Sequence, residues 1–173
     1  GLKGASYKFD KNTHTGTETL ILAAVLAEGK TILENAAEEP EVDDLIFLLL
    51  KMGAKIKRNK RKIIIDGVDK LHGAEYTIMP DRNEVVTFAV ASALTGGKIL
   101  IKGADLSTLG VFLEMFKKAG GKWEEKGKSV RFYMKNGIKP VDVTTSAHPG
   151  FMTDWQGPWA IFMTQADGVS RIH

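Results

Sequence analysis

An internal repeat constrains this chain more than any other feature of it. The segment Lys51-Met52-Gly53-Ala54-Lys55-Ile56 returns as Lys118-Ala119-Gly120-Gly121-Lys122-Trp123, displaced by 67 residues. Upstream, Ala27-Glu28-Gly29-Lys30-Thr31-Ile32 returns as Thr95-Gly96-Gly97-Lys98-Ile99-Leu100, displaced by 68, and a third copy opens at Ala166-Asp167-Gly168-Val169-Ser170, a further 71 on. Thr15 with Glu18, Asp81 with Glu84, and Thr153 with Gln156 have the spacing of helix-capping boxes, each 14 to 16 residues ahead of its matching glycine. A unit of this length cannot hide its apolar face alone, so units of this kind stack on one another.

Each unit reads in the same order. An apolar helix, Leu20 to Ala27, stops at Gly29, and a short strand follows over Lys30 to Glu34. A second helix carries Val42, Leu45, Ile46, Leu49 and Leu50 at helical spacing and stops at Gly53. Two strands, Ala54 to Lys57 and Lys62 to Asp66, then form a hairpin around Asn59. In the next unit a helix from Ser107 buries Leu109, Phe112, Leu113 and Phe116, and strands Lys122 to Glu125 and Ser129 to Met134 flank Lys126-Gly127. The first helix of each unit is apolar nearly all round and is expected to be buried; the second is amphipathic and is expected to face solvent.

Composition removes several function classes. With 43% hydrophobic and 26% charged residues, the 173-residue chain can bury a core. It has no cysteine, which excludes disulfides and thiolate metal sites, and its net charge of +3 does not by itself point to nucleic acid or membrane. The longest apolar run, Leu45 to Leu50, falls well short of the roughly 18 residues that span a bilayer. Six basic residues between Lys55 and Lys62 alternate through the hairpin, as on a solvated turn rather than a nucleic-acid site. No phosphate-binding glycine loop, serine elbow or metal-spaced histidine pair is present. The chain starts at Gly1 without a methionine and stops at Arg171-Ile172-His173, inside an expected strand, which reads as an internal piece of a longer protein.

Three polar segments precede apolar helices. Lys11-Asn12-Thr13-His14-Thr15-Gly16 leads into the first; the free amides and positive dipole end of such a helix can hold phosphate, or the segment is simply a capped loop. Asp81-Arg82-Asn83-Glu84, behind Pro80, can line a cleft or form a surface corner. Asp154, expected at the first helical position after a Thr153 cap, can orient or deprotonate a sugar hydroxyl, or it can only complete the cap.

These segments carry a resemblance. Thr15-Gly16-Thr17-Glu18, Leu33-Glu34-Asn35-Ala36-Ala37-Glu38-Glu39-Pro40-Glu41-Val42, Pro80-Asp81-Arg82 with Glu84, and His148-Pro149 with Thr153-Asp154 and Gln156 occur in an order that resembles the UDP-N-acetylglucosamine 1-carboxyvinyltransferases, a family of enolpyruvyl transferases. The resemblance implies an α/β fold of βαβαββ units, an inside-out α/β barrel with helices packed inward and sheets outward. Residues 1–79 would be the last unit of one lobe, and residues 80–173 the first unit of the other lobe with the start of its second.

The resemblance also implies transfer of the enolpyruvyl group of phosphoenolpyruvate to the 3′-hydroxyl of UDP-N-acetylglucosamine, in the cytoplasm, without metal or organic cofactor and without nucleic acid or membrane. Lys11, Asn12, Thr13 and His14 match the uridine-diphosphate loop, Asp154 the general base, and Asp81, Arg82 and Glu84 a cleft-lining motif. The family's N-terminal lysine–asparagine pair, its mobile loop with the general acid, and its C-terminal basic residues have no counterpart in these 173 residues, so this stretch alone is expected to be inactive. His14 stands where the family has a small apolar residue, and Trp155, Gly157 and Pro158 where it often has Met, Ala and Gln. A 5-enolpyruvylshikimate-3-phosphate synthase-like transferase and a non-catalytic UDP-sugar-binding module are the alternatives.

Overall fold

A computed structural model describes all residues, Gly1–His173. The chain divides into two compact units, Gly1–Met79 and Pro80–His173, each with its own hydrophobic core. No helix is long and apolar enough to cross a membrane.

The first unit contains β1 (Ser6–Lys8), α1 (His14–Ala24), β2 (Lys30–Glu34), α2 (Pro40–Lys51), β3 (Lys55–Asn59) and β4 (Lys62–Asp66). Its sheet runs β1-β2-β4-β3, with β1 parallel to β2 and the other pairs antiparallel. Strand alternation sorts the side chains between two faces. Leu33, Ile56, Ile63 and Ile65 are buried with Ile21 and Ala24 of α1 and Val42, Ile46 and Leu49 of α2. The opposite face carries Ser6, Ile32, Ile64 and Lys57 in one register row. Both helices therefore cover one face of the sheet.

Pro40 at the first turn of α2 supplies a preset φ, and Glu41 and Asp43 there oppose the helix dipole. Gly53, at φ +96°, ends the helix in a left-handed conformation that suits glycine. The segment after β4 is tied back over the unit: Gly67 N donates to Gly29 O at 2.9 Å and His72 N to Met52 O at 2.9 Å. A side chain at Gly67 would place its Cβ 1.6 Å from the Ala27 carbonyl oxygen, so only glycine allows that approach.

The strap ends at Asp44, which accepts from the Tyr76 hydroxyl at 2.6 Å and from Met79 N at 3.3 Å. The hydrogen bond to Asp44, then burial and the carboxylate charge, raise the Tyr76 pKa from 10.0 to about 12. A raised pKa means that the contribution to stability is complete below the unfolded value and is lost as pH climbs through the folded one. An alkaline absorbance titration should therefore show Tyr76 ionising near pH 12, and Asp44→Asn should move it back toward 10; a titration unmoved by that substitution would dissolve the link.

The second unit contains α3 (Arg82–Leu94), β5 (Lys98–Lys102), a 3-10 turn (Leu106–Leu109), α4 (Gly110–Lys118), β6 (Gly121–Lys126), β7 (Ser129–Met134), a second 3-10 turn (Thr153–Trp155) and α5 (Gln156–Met163). The sheet order is β5-β7-β6, all antiparallel. Its core joins Val86, Ala89 and Ala93 of α3 to an aromatic cluster that includes Phe112, Phe116, Phe132, Phe151, Trp155, Trp159 and Phe162. The third repeat is visible in pairing as well as in sequence. The parallel bridges Lys3↔Glu28 and Lys8 with Glu34 in the first unit have counterparts in Ile138↔Ala166 and Val143↔Ile172.

The structure corrects several expectations. The first helix spans His14–Ala24 rather than Leu20 to Ala27, and Thr13, not Thr15, is its cap. The first turn closes on Thr13 because its carbonyl takes Thr17 N at 3.1 Å and Thr17 Oγ1 at 2.7 Å. The helix is also not buried all round: Ile21 and Ala24 are inside, but Leu22 is 52% exposed, and Leu26, in the turn just past the helix end, is 56% exposed. Nor is the solvent side of α2 wholly polar, since Phe47 and Leu50 are exposed. Arg58 departs from the solvated hairpin: it donates to Ala37 O at 2.5 Å and Lys60 O at 3.0 Å and meets Asp43 at 3.1 Å.

Candidate functional site

In the first unit the polar segment Lys11–His14 sits at the start of α1. Thr13 has extended backbone, and its Oγ1 accepts from Gly16 N at 3.3 Å. The His14 and Thr15 amides, the remaining donors of the first turn, have no acceptor within the chain. Asn12 presents both a buried amide nitrogen and a buried amide oxygen without a partner. Leaving such a group unmet costs about 1–3 kcal/mol, which a ligand's polar edge can offset. His14 Nε2 lies 3.3 Å from Glu18 Oε1, close enough for an ion pair but outside hydrogen-bond geometry. Lys11 is exposed beside them. Unpaired donors, a helix dipole and a lysine form a place for anionic oxygens. The floor under this helix start is held from the segment that follows β2: Thr17 Oγ1 accepts Ala37 N at 3.0 Å, and Asn35 Nδ2 donates to Phe9 O at 2.8 Å. A largely apolar groove of about 780 Å³ continues from Thr13 and Gly16 along α1 to Ala27.

In the second unit Asp81 caps α3, accepting from Asn83 N at 2.7 Å and Glu84 N at 3.4 Å. Asp81 and Glu84 are exposed, but Arg82 is only 1% exposed. Its guanidinium turns inward, 3.1 Å from His148 Nδ1 and 5.8 Å from the Trp155 ring centroid. A guanidinium only donates, so Nδ1 of His148 is the acceptor.

Asp154 does not follow a Thr153 cap. Thr153, Asp154 and Trp155 themselves form a 3-10 turn, closed by Trp155 N donating to Met152 O at 3.1 Å, and Gln156 is the first residue of α5. Met152 and Trp155 are buried, whereas Thr153 and Asp154 are exposed. Burial at both feet of the turn explains the shift: the large indole enters the core and leaves its two neighbours outside. The Asp154 carboxylate has no hydrogen-bonding or ionic partner in the chain. Among the residues brought together here, Asn83 was hidden from a reading by residue type: its Oδ1 accepts from Trp155 Nε1 at 2.9 Å. No group of three or more histidine, cysteine, aspartate or glutamate side chains is arranged to hold a metal ion.

Residues 1–173 match the family model described as EPSP synthase (3-phosphoshikimate 1-carboxyvinyltransferase). The chain is 47% identical over 172 residues to a UDP-N-acetylglucosamine 1-carboxyvinyltransferase of Koribacter versatilis, covering 99% of this chain and 40% of that protein. The protein of the same name in Magnetococcus marinus is 46% identical over 173 residues, covering 99% and 41%. The chain thus spans about two-fifths of the length of these curated relatives. Among solved structures, the enolpyruvyl transferase NikO from Streptomyces tendae aligns with a TM-score of 0.81 over 98% of this chain and 44% of its own, at 21% identity. EPSP synthase from Acinetobacter baumannii aligns with a TM-score of 0.58 over 99% and 40%, at 22% identity. At such identities the structural likeness concerns the fold.

Proposed function

The chain belongs to the EPSP synthase family over its whole length, and on that premise we propose that the full-length protein transfers the enolpyruvyl group of phosphoenolpyruvate to the 3′-hydroxyl of UDP-N-acetylglucosamine, the first committed step of peptidoglycan synthesis. The observation that carries the nucleotide-sugar reading is the start of α1, where the unpartnered Asn12 amide and the free His14 and Thr15 amides meet beside Lys11. Relatives 44–47% identical across the chain, all named for that reaction, support the same acceptor.

In this reading Lys11, Asn12, Thr13 and His14 contact the uridine diphosphate. Asp154 takes the proton of the sugar 3′-hydroxyl as its oxygen bonds to C2 of phosphoenolpyruvate, while C3 receives a proton. Loss of a C3 proton and of phosphate from C2 then restores the double bond. Charges balance through proton transfers alone, so the chemistry calls for neither metal nor organic cofactor. The proton donor to C3 and the basic residues that hold phosphoenolpyruvate come from parts of the protein beyond these 173 residues. Further segments of the same polypeptide cover the apolar groove along α1. Asp81 and Glu84 line the reacting side of the second unit, with Arg82 behind them. A cytoplasmic location fits this reading, since both substrates are soluble metabolites.

The test is phosphate release from phosphoenolpyruvate by the full-length protein. Release should require UDP-N-acetylglucosamine. Release with shikimate 3-phosphate instead would transfer the assignment to the branch that gives the family model its description, and saturable UDP-sugar binding with no release would leave a binding module.

A further inference from the structure

The exposed pair Thr153–Asp154 is an arch standing on two buried feet, Met152 and Trp155. An exposed three-residue turn is held in place only by what its feet are fixed to. Met152 is held by packing in the aromatic core. The indole of Trp155 is held by direction as well: its ring packs edge-on against Phe112 at 5.9 Å and Phe151 at 5.5 Å, and the Arg82 guanidinium lies over it. Packing and a cation above the ring are only weakly directional, and leave the indole some freedom to tilt and shift. The bond from Nε1 to Asn83 Oδ1 removes that freedom, because it fixes the one polar point on the ring's edge.

Asn83 is itself fixed. Its backbone N–H donates to the cap Asp81 at 2.7 Å, and it lies in the first turn of α3, which Val85 and Val86 anchor in the core. The rigid start of one helix thus sets the register of the turn that carries Asp154. Trp159, the other indole of this cluster, is fully buried and its Nε1 has no partner, so the Asn83 bond is a feature of Trp155 alone and not a consequence of burying tryptophan.

We propose that Asn83 is a positioning residue for the transfer reaction, acting through the Trp155 indole to hold the Asp154 carboxylate at the acceptor hydroxyl. This rests on the reading of Asp154 as general base. Displacing a reacting group by about 1 Å can cost on the order of a hundredfold in rate, so loss of the bond should lower kcat by about ten- to hundredfold with little change in KM for the nucleotide sugar, whose proposed contacts lie in residues 11–14.

The experiment compares Asn83→Leu, Trp155→Phe, the double variant, Asn83→Asp and Asp154→Asn in the full-length protein, with isotope-labelled tryptophan for nuclear magnetic resonance. The expected result is that either single change lowers kcat alone, that the double variant is no slower than the worse single one, and that Asn83→Asp, which keeps an acceptor, recovers most of the turnover. The Trp155 indole N–H should exchange slowly in the unaltered protein and rapidly in Asn83→Leu. Trp155→Phe keeps an aromatic ring in the core and supplies the kinetic result if the leucine variant does not fold. Additive losses, or kcat and KM falling in step with thermal stability, would show a structural role only and overturn the proposal. So would an indole N–H that stays protected in Asn83→Leu, or full turnover in either single variant while Asp154→Asn is inactive. Full turnover in Asp154→Asn would instead remove the general base itself, leaving indole exchange to show whether Asn83 anchors the turn.

Discussion

Asp154→Asn in the full-length protein is expected to lower turnover by about 10²–10⁴-fold, the range associated with losing a positioned general base. Asparagine keeps the size and polarity of the side chain but cannot accept the sugar hydroxyl proton. The 3-10 turn is closed by main-chain bonding from Trp155 N to Met152 O and anchored by buried neighbours, none of which the substitution touches. Because the carboxylate has no partner in the chain, its replacement strands no buried group and should barely change stability. The proposed nucleotide contacts at Lys11 to His14 are likewise unaltered, so UDP-N-acetylglucosamine should still bind. Unchanged turnover would show that Asp154 is an exposed turn residue and nothing more.

Phe116→Ala is expected to have the largest effect on stability. The ring is fully buried, stacked on Phe112 at 5.4 Å, edge-on to Phe132 at 6.0 Å and tilted against Phe162 at 5.7 Å. It also rests on the backbone of Gly121, where a Cβ would lie 2.4 Å from the ring. Contacts from three elements and a glycine floor leave little room for collapse into the space vacated. Truncation of a large buried aromatic costs about 3–5 kcal/mol, against the roughly 5–15 kcal/mol that holds a domain together. For a unit of this size that is a fall in Tm of roughly 12 °C or more, with faster amide exchange in β6 and β7. A shift of only a few degrees would mean that the aromatic cluster repacks and is not the keystone of the second unit.

The parts of the fold that were legible in the residues are those decided by periodicity. β4 and β7 match their expected ranges, Lys62–Asp66 and Ser129–Met134, because alternate apolar residues leave one register in which a face can be buried. The glycine stops were legible because left-handed turns need them, as at Gly53. Helix starts were harder. Thr13 and Thr15 are the same residue type two positions apart, and the choice between them is made by Thr17, whose hydroxyl joins the Thr13 carbonyl to Ala37 N across 20 residues of sequence. Thr153 had the right spacing for a cap, but the depth to which Trp155 sinks into the core turned that segment into a 3-10 arch. The polar character of Arg82 and Asn83 suggested a cleft wall or a surface corner; their partners, His148 and Trp155, lie about 70 residues downstream and could not be read from local pattern.

The most direct test of the account follows one oxygen atom. Phosphoenolpyruvate carrying a heavy-oxygen label in the bridge between carbon and phosphorus is given to the full-length protein with UDP-N-acetylglucosamine, and both products are weighed by mass spectrometry. Addition of the sugar hydroxyl to C2 followed by elimination breaks the carbon–oxygen bond, so the account predicts that the label leaves in the phosphate while the nucleotide sugar gains one enolpyruvyl group. Unlabelled phosphate together with an unmodified nucleotide sugar would mean cleavage at phosphorus, and would contradict it.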